Sequence, residues 1–415
     1  MLKEVCYLAV LLLIFTACSN QESFKANSEQ AHAVLVPGSG TYSRKISTQN
    51  PEAQAFFDQG LRLAWGFYFP ESIASFQEAA RIDPDQPMHF WGMAYAMGPN
   101  PNSRYARMPD DPKGEGLKAI KKALDRIDRA SPVEAKLIRA LHVLYDQQTI
   151  PDQDDRDQAY LTAMRNLNQE YPDDPDITAL YAASYMSMKR WDYWDSEGNP
   201  KAETIPVAEA LEHIIAQGLS HPGVFHLHIH LIEASLEPER ALVSADALEA
   251  TVPIAGHVVH MPSHIYVRVG QYGKAVENNV RSQAVDRQFA ELWGDHPLPN
   301  IGTYPLSHRI HAGHALDFIR YAATVQGNYK TASEAAWRMA NRITGEAVLV
   351  RGGQKRVSAP WLVLKIFGKW DELLALTPAH QGTPYLDGIW SYALGSAHLA
   401  KGNIDAAFQE LVNLK

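Results

Sequence analysis

Two short stretches concentrate the residues able to do chemistry: HPGVFHLHIHLIEAS at 221–235 and GHVVHMPSHIY at 256–266, which together hold seven histidines within 44 residues. Neutral imidazole is a ligand for zinc, copper or iron, and near neutral pH it also exchanges a proton. Pro222 suits the first turn of a helix. If 222–235 is one helix, the α-helical repeat sets His230 about 40° from His226 and Glu233 about 20° to the other side. Those three side chains then share a face, His228 points nearly opposite, and His221 sits at the helix mouth. In the second stretch Pro262 is expected to begin a helix, which leaves His257, His260 and Met261 in or near the preceding loop and His264 about one turn in. Both clusters are expected to face one pocket. There His226, His230, Glu233, His257, His260 and His264 would hold one transition metal ion, zinc, copper or iron.

A single histidine on a packed helix is more often a hydrogen-bonded core residue than a ligand, so the weight lies on the concentration. The spacing is not HExxH, because Leu227 follows His226, and the zincin mechanism does not transfer. Three readings stay open: a binding protein that holds a metal, a metal-dependent hydrolase or oxidoreductase with one coordination position free, and a metal-free scaffold. The stretch RWDYWDSEGNP at 190–200 reads as a loop anchored by buried aromatics, or as a pocket rim built by Trp191, Asp192 and Trp194, with Tyr266 beside them. His308, His311 and His314 read as a helix edge facing solvent.

The elements that must position these groups are helices. Residues 51–85 place apolar side chains at helical spacing in two segments parted by Phe69-Pro70, with Gly60 leaving room for the second helix and Asp83-Pro84 ending the unit. This hairpin resembles the tetratricopeptide repeat, whose period is about 34 residues. Similar copies begin at Pro262 and at Tyr385, with turns at Gly270-Gln271 and Gly402-Asn403. Helical segments are expected between them near 87–97, 113–128, 132–146, 155–170, 176–189, 203–218, 222–235, 237–250, 311–326, 329–343 and 354–367, and no stretch alternates as a strand would. The expected fold is all-α, a tetratricopeptide-like helical-repeat superhelix over 48–415 with its His-rich centre at 221–266. Its concave groove would suit a protein or peptide partner.

The first residues, MLKEVCYLAVLLLIFTACSN, have the layout of a secretory signal over 1–17. Their ending resembles a bacterial lipobox, so Cys18 is expected to carry lipid, with 18–47 as a flexible tether and Ser19 favouring an outer-membrane, periplasm-facing address. Cys6 and Cys18 are the chain's two cysteines. The body therefore has no thiol for catalysis or for a thiolate zinc site. A net charge of -9 without a basic run argues against nucleic acid.

Taken together, FDQGLRLAWGF, SFQEAARIDPD, FWGMAYAMGPNPN, the WDYWD loop and the two His-rich stretches resemble an uncharacterised bacterial family of large tetratricopeptide-repeat proteins. The resemblance covers most of the chain and implies the fold and a shared His-rich centre, but no named reaction. It also implies a third His-rich element around His314, where this sequence has Asp317 at a position that is commonly His.

Overall fold

The computed structural model describes residues 31–101, 112–299, 307–378 and 382–414, the side chains at 112–113 and 307–312 excepted. The expected signal, Cys18 and the tether up to residue 30 lie outside the described residues, and so do the side chains of His308 and His311. Residues His32–Lys415 form one compact unit. It opens with α1 (Pro51–Trp65), α2 (Phe69–Ile82), α3 (Pro87–Met97), α4 (Pro112–Leu124), α5 (Pro132–Tyr145), α6 (Gln153–Glu170), α7 (Pro175–Lys189) and α8 (Thr204–Ala216). The centre is made of short pieces, α9 (Pro222–Ile232), α10 (Leu242–Leu248), α11 (Gly256–His260) and α12 (Pro262–Arg268). Beyond it come α13 (Tyr272–Trp293), α14 (Ser307–Val325), α15 (Tyr329–Ala340), α16 (Arg351–Ile366), α17 (Trp370–Leu374), α18 (Pro384–Ala400) and α19 (Ile404–Leu414).

Consecutive helices pack on one another along most of the chain, which is the signature of a helical-repeat array. Among the described residues the sole extended pairing is an isolated bridge between Trp194 and Pro200. The fold is all-α and tetratricopeptide-like, as expected. Local chemistry explains the helix starts: Asn50, Ser131 and Asp174 each cap a helix whose first position is proline, accepting from backbone N–H groups of its first turn. Gly60 has the packing role expected of it, since a Cβ there would meet the Phe76 ring of α2 at 2.8 Å.

Two features depart from an open superhelix. First, α1 packs against α9 as well as against its sequence neighbours. Gly223 makes this approach possible, because a Cβ at that point would lie 2.5 Å from the Trp65 indole. The largest apolar core accordingly runs from Ala33 to Ala322, with two smaller clusters under α14–α18. Second, residues 32–47 are not a tether. Val36 and Ile46 are buried, the Val36 N–H donates to Gln59, Ser43 donates to Asp58, and Ser47 donates to Glu134 of α5. Tyr42 and Arg44 reach the buried Asp176 at the start of α7, at 2.6 and 3.0 Å. Ala33, Val36 and Ile46 join the largest apolar core, and polar side chains complete the hold on this strap.

Candidate metal centre

His226 and His230 stand one turn apart on α9, both buried. The second set does not start in a loop. Gly256–His260 is already helical, and Met261, with φ -53° and ψ -39°, carries the chain almost unbroken into α12. A residue before proline usually avoids that conformation, so the sequence at Met261-Pro262 reads as a helix start while the backbone continues one. His257, His260 and His264 therefore lie at helical spacing and line successive turns. α14, packed on α11, adds His314.

The six predicted ligands do not form one site. The rings fall into two triads, His226/His230/His257 and His260/His264/His314, in each of which one ligand atom per residue lies within 4.8 Å of the others. One expectation is corrected here: Glu233 belongs to neither triad. His314 is exposed, as expected at a helix edge, and also completes the second triad. His226 Nε2 and His257 Nε2 are 3.1 Å apart, and His260 Nε2 and His264 Nε2 are 3.0 Å apart. Imidazole nitrogens about 2.0–2.1 Å from a common tetrahedral ion would be about 3.4 Å from one another. Only a few tenths of an ångström separate that spacing from the one found.

Proton positions decide what these close approaches mean. His226 Nδ1 lies 2.6 Å from the Trp65 carbonyl oxygen, which can only accept, so Nδ1 carries the hydrogen. His260 Nδ1 lies 2.6 Å from Asn279 Oδ1, and the Asn279 amide is oriented by its own donation to the Ala275 carbonyl. His230 Nδ1 and His264 Nδ1 donate to the two oxygens of Glu233, at 3.1 and 2.5 Å. Four rings are thus locked with hydrogen on Nδ1 and, when neutral, a lone pair on Nε2. His260 Nε2 and His264 Nε2 would then be two acceptors facing each other at 3.0 Å. A cation or an extra proton has to lie between them. His230 Nε2, buried, has no hydrogen-bond partner among the described residues.

Electrostatics keep the ligands available. Burial alone would raise the Glu233 carboxyl, but its charge interaction with His264 and the bonds from both rings hold it well below the usual carboxylate range. Burial pushes His230 down. Burial also lowers His314, with help from His264, to about 4, even though the residue is exposed at the surface. Aromatic walls complete the centre. Phe67 lies 4.3 Å from His226, 5.3 Å from His257 and 6.0 Å from His230 between ring centroids, while Phe318 is within 5.0 Å of all three rings of the second triad. Phe67 has φ 60°, in the left-handed region that glycine normally fills at a helix end. Trp191 has φ 68° and sets its indole edge-on to His230 at 5.0 Å. Bulky residues in that conformation cost of order 1–3 kcal/mol each, and here both costs are spent placing an aromatic against the same imidazole.

The remaining predicted positions divide. Trp191 is half exposed and lies edge-on to His230. Asp192 pairs with Lys201 at the surface, and Trp194 donates to the Leu231 carbonyl at 2.7 Å, anchoring the loop. Tyr266 is buried and donates to Asp246, on the side of α12 where Lys274 covers its ring. His221 and His228 hydrogen-bond within the fold, to Asp176 and Val224 and to Ser244 and Glu212. Phe67, Trp65 and Asn279 were missed by sequence reasoning, and no local signal marks them except the bulky residue at a helix-ending position 67.

No family model and no curated protein matches the chain. Solved structures similar to it include a human IFIT1 dimer with PPP-AAAA (11% identity, 87% of this chain and 72% of that one, TM-score 0.44). Others are the C-terminal part of a TPR repeat-containing protein from Cytophaga hutchinsonii (12%, 70% and 98%, 0.34) and yeast Tom70 (8%, 87% and 84%, 0.28). At such scores the likeness carries no functional argument. The helical-repeat assignment rests on the packing of the chain itself.

Proposed function

We propose that this protein is a metal-holding helical-repeat protein of the bacterial cell envelope, anchored through lipid at Cys18 and facing the periplasm, with one transition metal ion on each histidine triad. The observation that supports the reading most is the set of rings locked at Nδ1 whose Nε2 lone pairs converge, an arrangement that metal-ligating histidines share. A metal-free core would instead pair donors with acceptors. Partner binding belongs to the proposal as well. With α1 seated on α9, the surface offered to a protein partner is the exposed apolar face of Tyr392, Leu399, Ile404 and Phe408 on α18 and α19.

The test is elemental analysis of the full chain purified without a histidine tag or chelator, beside a His230→Ala/His264→Ala double variant. The expected result is one ion per triad in the parent and none in a double variant that keeps its helical circular dichroism. Parent protein that arrives metal-free and takes up neither zinc, copper nor iron would defeat the reading. An enzymatic use of the outer triad is the second reading. It is favoured by the exposure of His314, which would leave that ion accessible to water or a small substrate.

A further inference from the structure

The two triads share a boundary and a carboxylate. Across the boundary the His230 and His264 rings are 5.7 Å apart and the His257 and His260 rings 6.0 Å apart, centroid to centroid. Glu233 spans it, accepting from His230 with one oxygen and from His264 with the other. Ions held on rings this close would lie on the order of 6–8 Å from each other. Any further charged group that faces a triad sets that triad's own affinity, but the repulsion between the ions depends only on their charges, their separation and the medium. For two divalent ions at that range, even a water-like dielectric leaves a repulsion worth about tenfold or more in the second dissociation constant. The shared carboxylate works in the same direction. Coordination of a ring strengthens its Nδ1–H as a donor, so the first ion draws Glu233 toward its own ring and leaves less of the negative charge for the other.

Burial distinguishes the two. His226, His230 and His257 are all buried, whereas His264 is partly exposed and His314 lies at the surface. Resting on the two-ion reading above, we infer that the triads are an anticooperative pair, in which an ion on either one weakens binding at the other, and that the outer triad is the one that gives its ion up. Such a pair passes one ion to an acceptor while the other stays in the body of the protein. The coupling is reciprocal, so it can be measured without knowing which triad is intrinsically tighter.

The experiment titrates the metal-free full chain with Zn(II) against a chelator of known affinity, beside two variants. His226→Gln disables the inner triad while its amide can still donate to the Trp65 carbonyl, and His314→Ala disables the outer one at an exposed position. Circular dichroism confirms that each is folded, and His257→Gln replaces His226→Gln if that variant unfolds. Expected are two equivalents in the parent and one in each variant, with the product of the parent's two association constants about tenfold or more below the product of the variants' constants. In stopped flow with excess chelator, the parent should release one ion faster than the other, and His314→Ala should lose the fast phase. Equal products, or a larger one in the parent, would overturn the coupling and leave the two-ion reading standing. A fast phase that survives in His314→Ala would overturn the outer triad as the releasing site. Uptake of no ion, or of one ion that either substitution alone abolishes, would overturn both readings.

Discussion

Two buried polar assemblies sit within two turns of each other along α9, and they are built on opposite rules. At the helix start, His221 Nδ1 accepts the Val224 N–H, so its Nε2 donates to Asp176, which also receives Tyr42, Arg44 and the Trp65 indole. Every donor there meets an acceptor, and the chain supplies all of them. Farther along, at His226, His230, His260 and His264, fixed Nδ1 hydrogens turn lone pairs toward one another. Trp65 takes part in both, with its indole in the first and its carbonyl in the second. A count of buried histidines does not separate a structural network from a ligand site. The direction of the donors does.

The comparison can be broken most forcefully at Asp176. Replacing it with alanine leaves Arg44 and His221 without their shared partner, and the expected loss is about 3–5 kcal/mol by urea unfolding, with the metal content of the folded fraction unchanged. Loss of metal as well would merge the two assemblies. Burial pushes the Asp176 carboxyl up, but its interactions with His221 and Arg44 and the bond from Tyr42 hold it well below its ordinary value. A depressed carboxyl contributes stability that is fully present above the unfolded pKa of about 3.9 and lost as pH falls through the folded value. The difference between parent and Asp176→Asn should therefore be flat from pH 7 to about 4 and shrink below.

Next in size is metal itself: ion at a hundredfold excess over its dissociation constant should stabilise the parent by about 2.7 kcal/mol per site. Chelator should lower the parent's melting temperature and leave the His230→Ala/His264→Ala variant unmoved. Glu233→Gln should weaken both sites by about 10–100-fold, measured by chelator competition. A single-site effect would show that the carboxylate serves only one triad. The smallest effect expected is on stability in Trp191→Gly, which relieves a positive φ and should stay within about 1 kcal/mol of the parent by thermal unfolding. Its discriminating readout is faster ion release to chelator in stopped flow, because the indole lies edge-on to His230.

Much of the scaffold is legible in the sequence because helical periodicity and caps are local: the segment expected at 87–97 is α3, and Asn50, Ser131 and Asp174 mark their helix starts. The pairing of His226 with His230 is legible for the same reason. The division into triads is not, since it depends on Met261 keeping the chain helical against the usual bias before Pro262, and on His314 arriving from α14. The role of Glu233 is hidden because a carboxylate that orients two rings has the same sequence as one that binds metal. The strap at 32–47 escapes a periodicity reading altogether, because Tyr42, Ser43, Arg44 and Ser47 hold it by side-chain hydrogen bonds.

That strap has a consequence for the order in which the fold closes. Its bonds join Tyr42 to Asp176 and Ser47 to Glu134 across 134 and 87 residues of sequence, so closing them costs more loop entropy than the contacts between neighbouring helices.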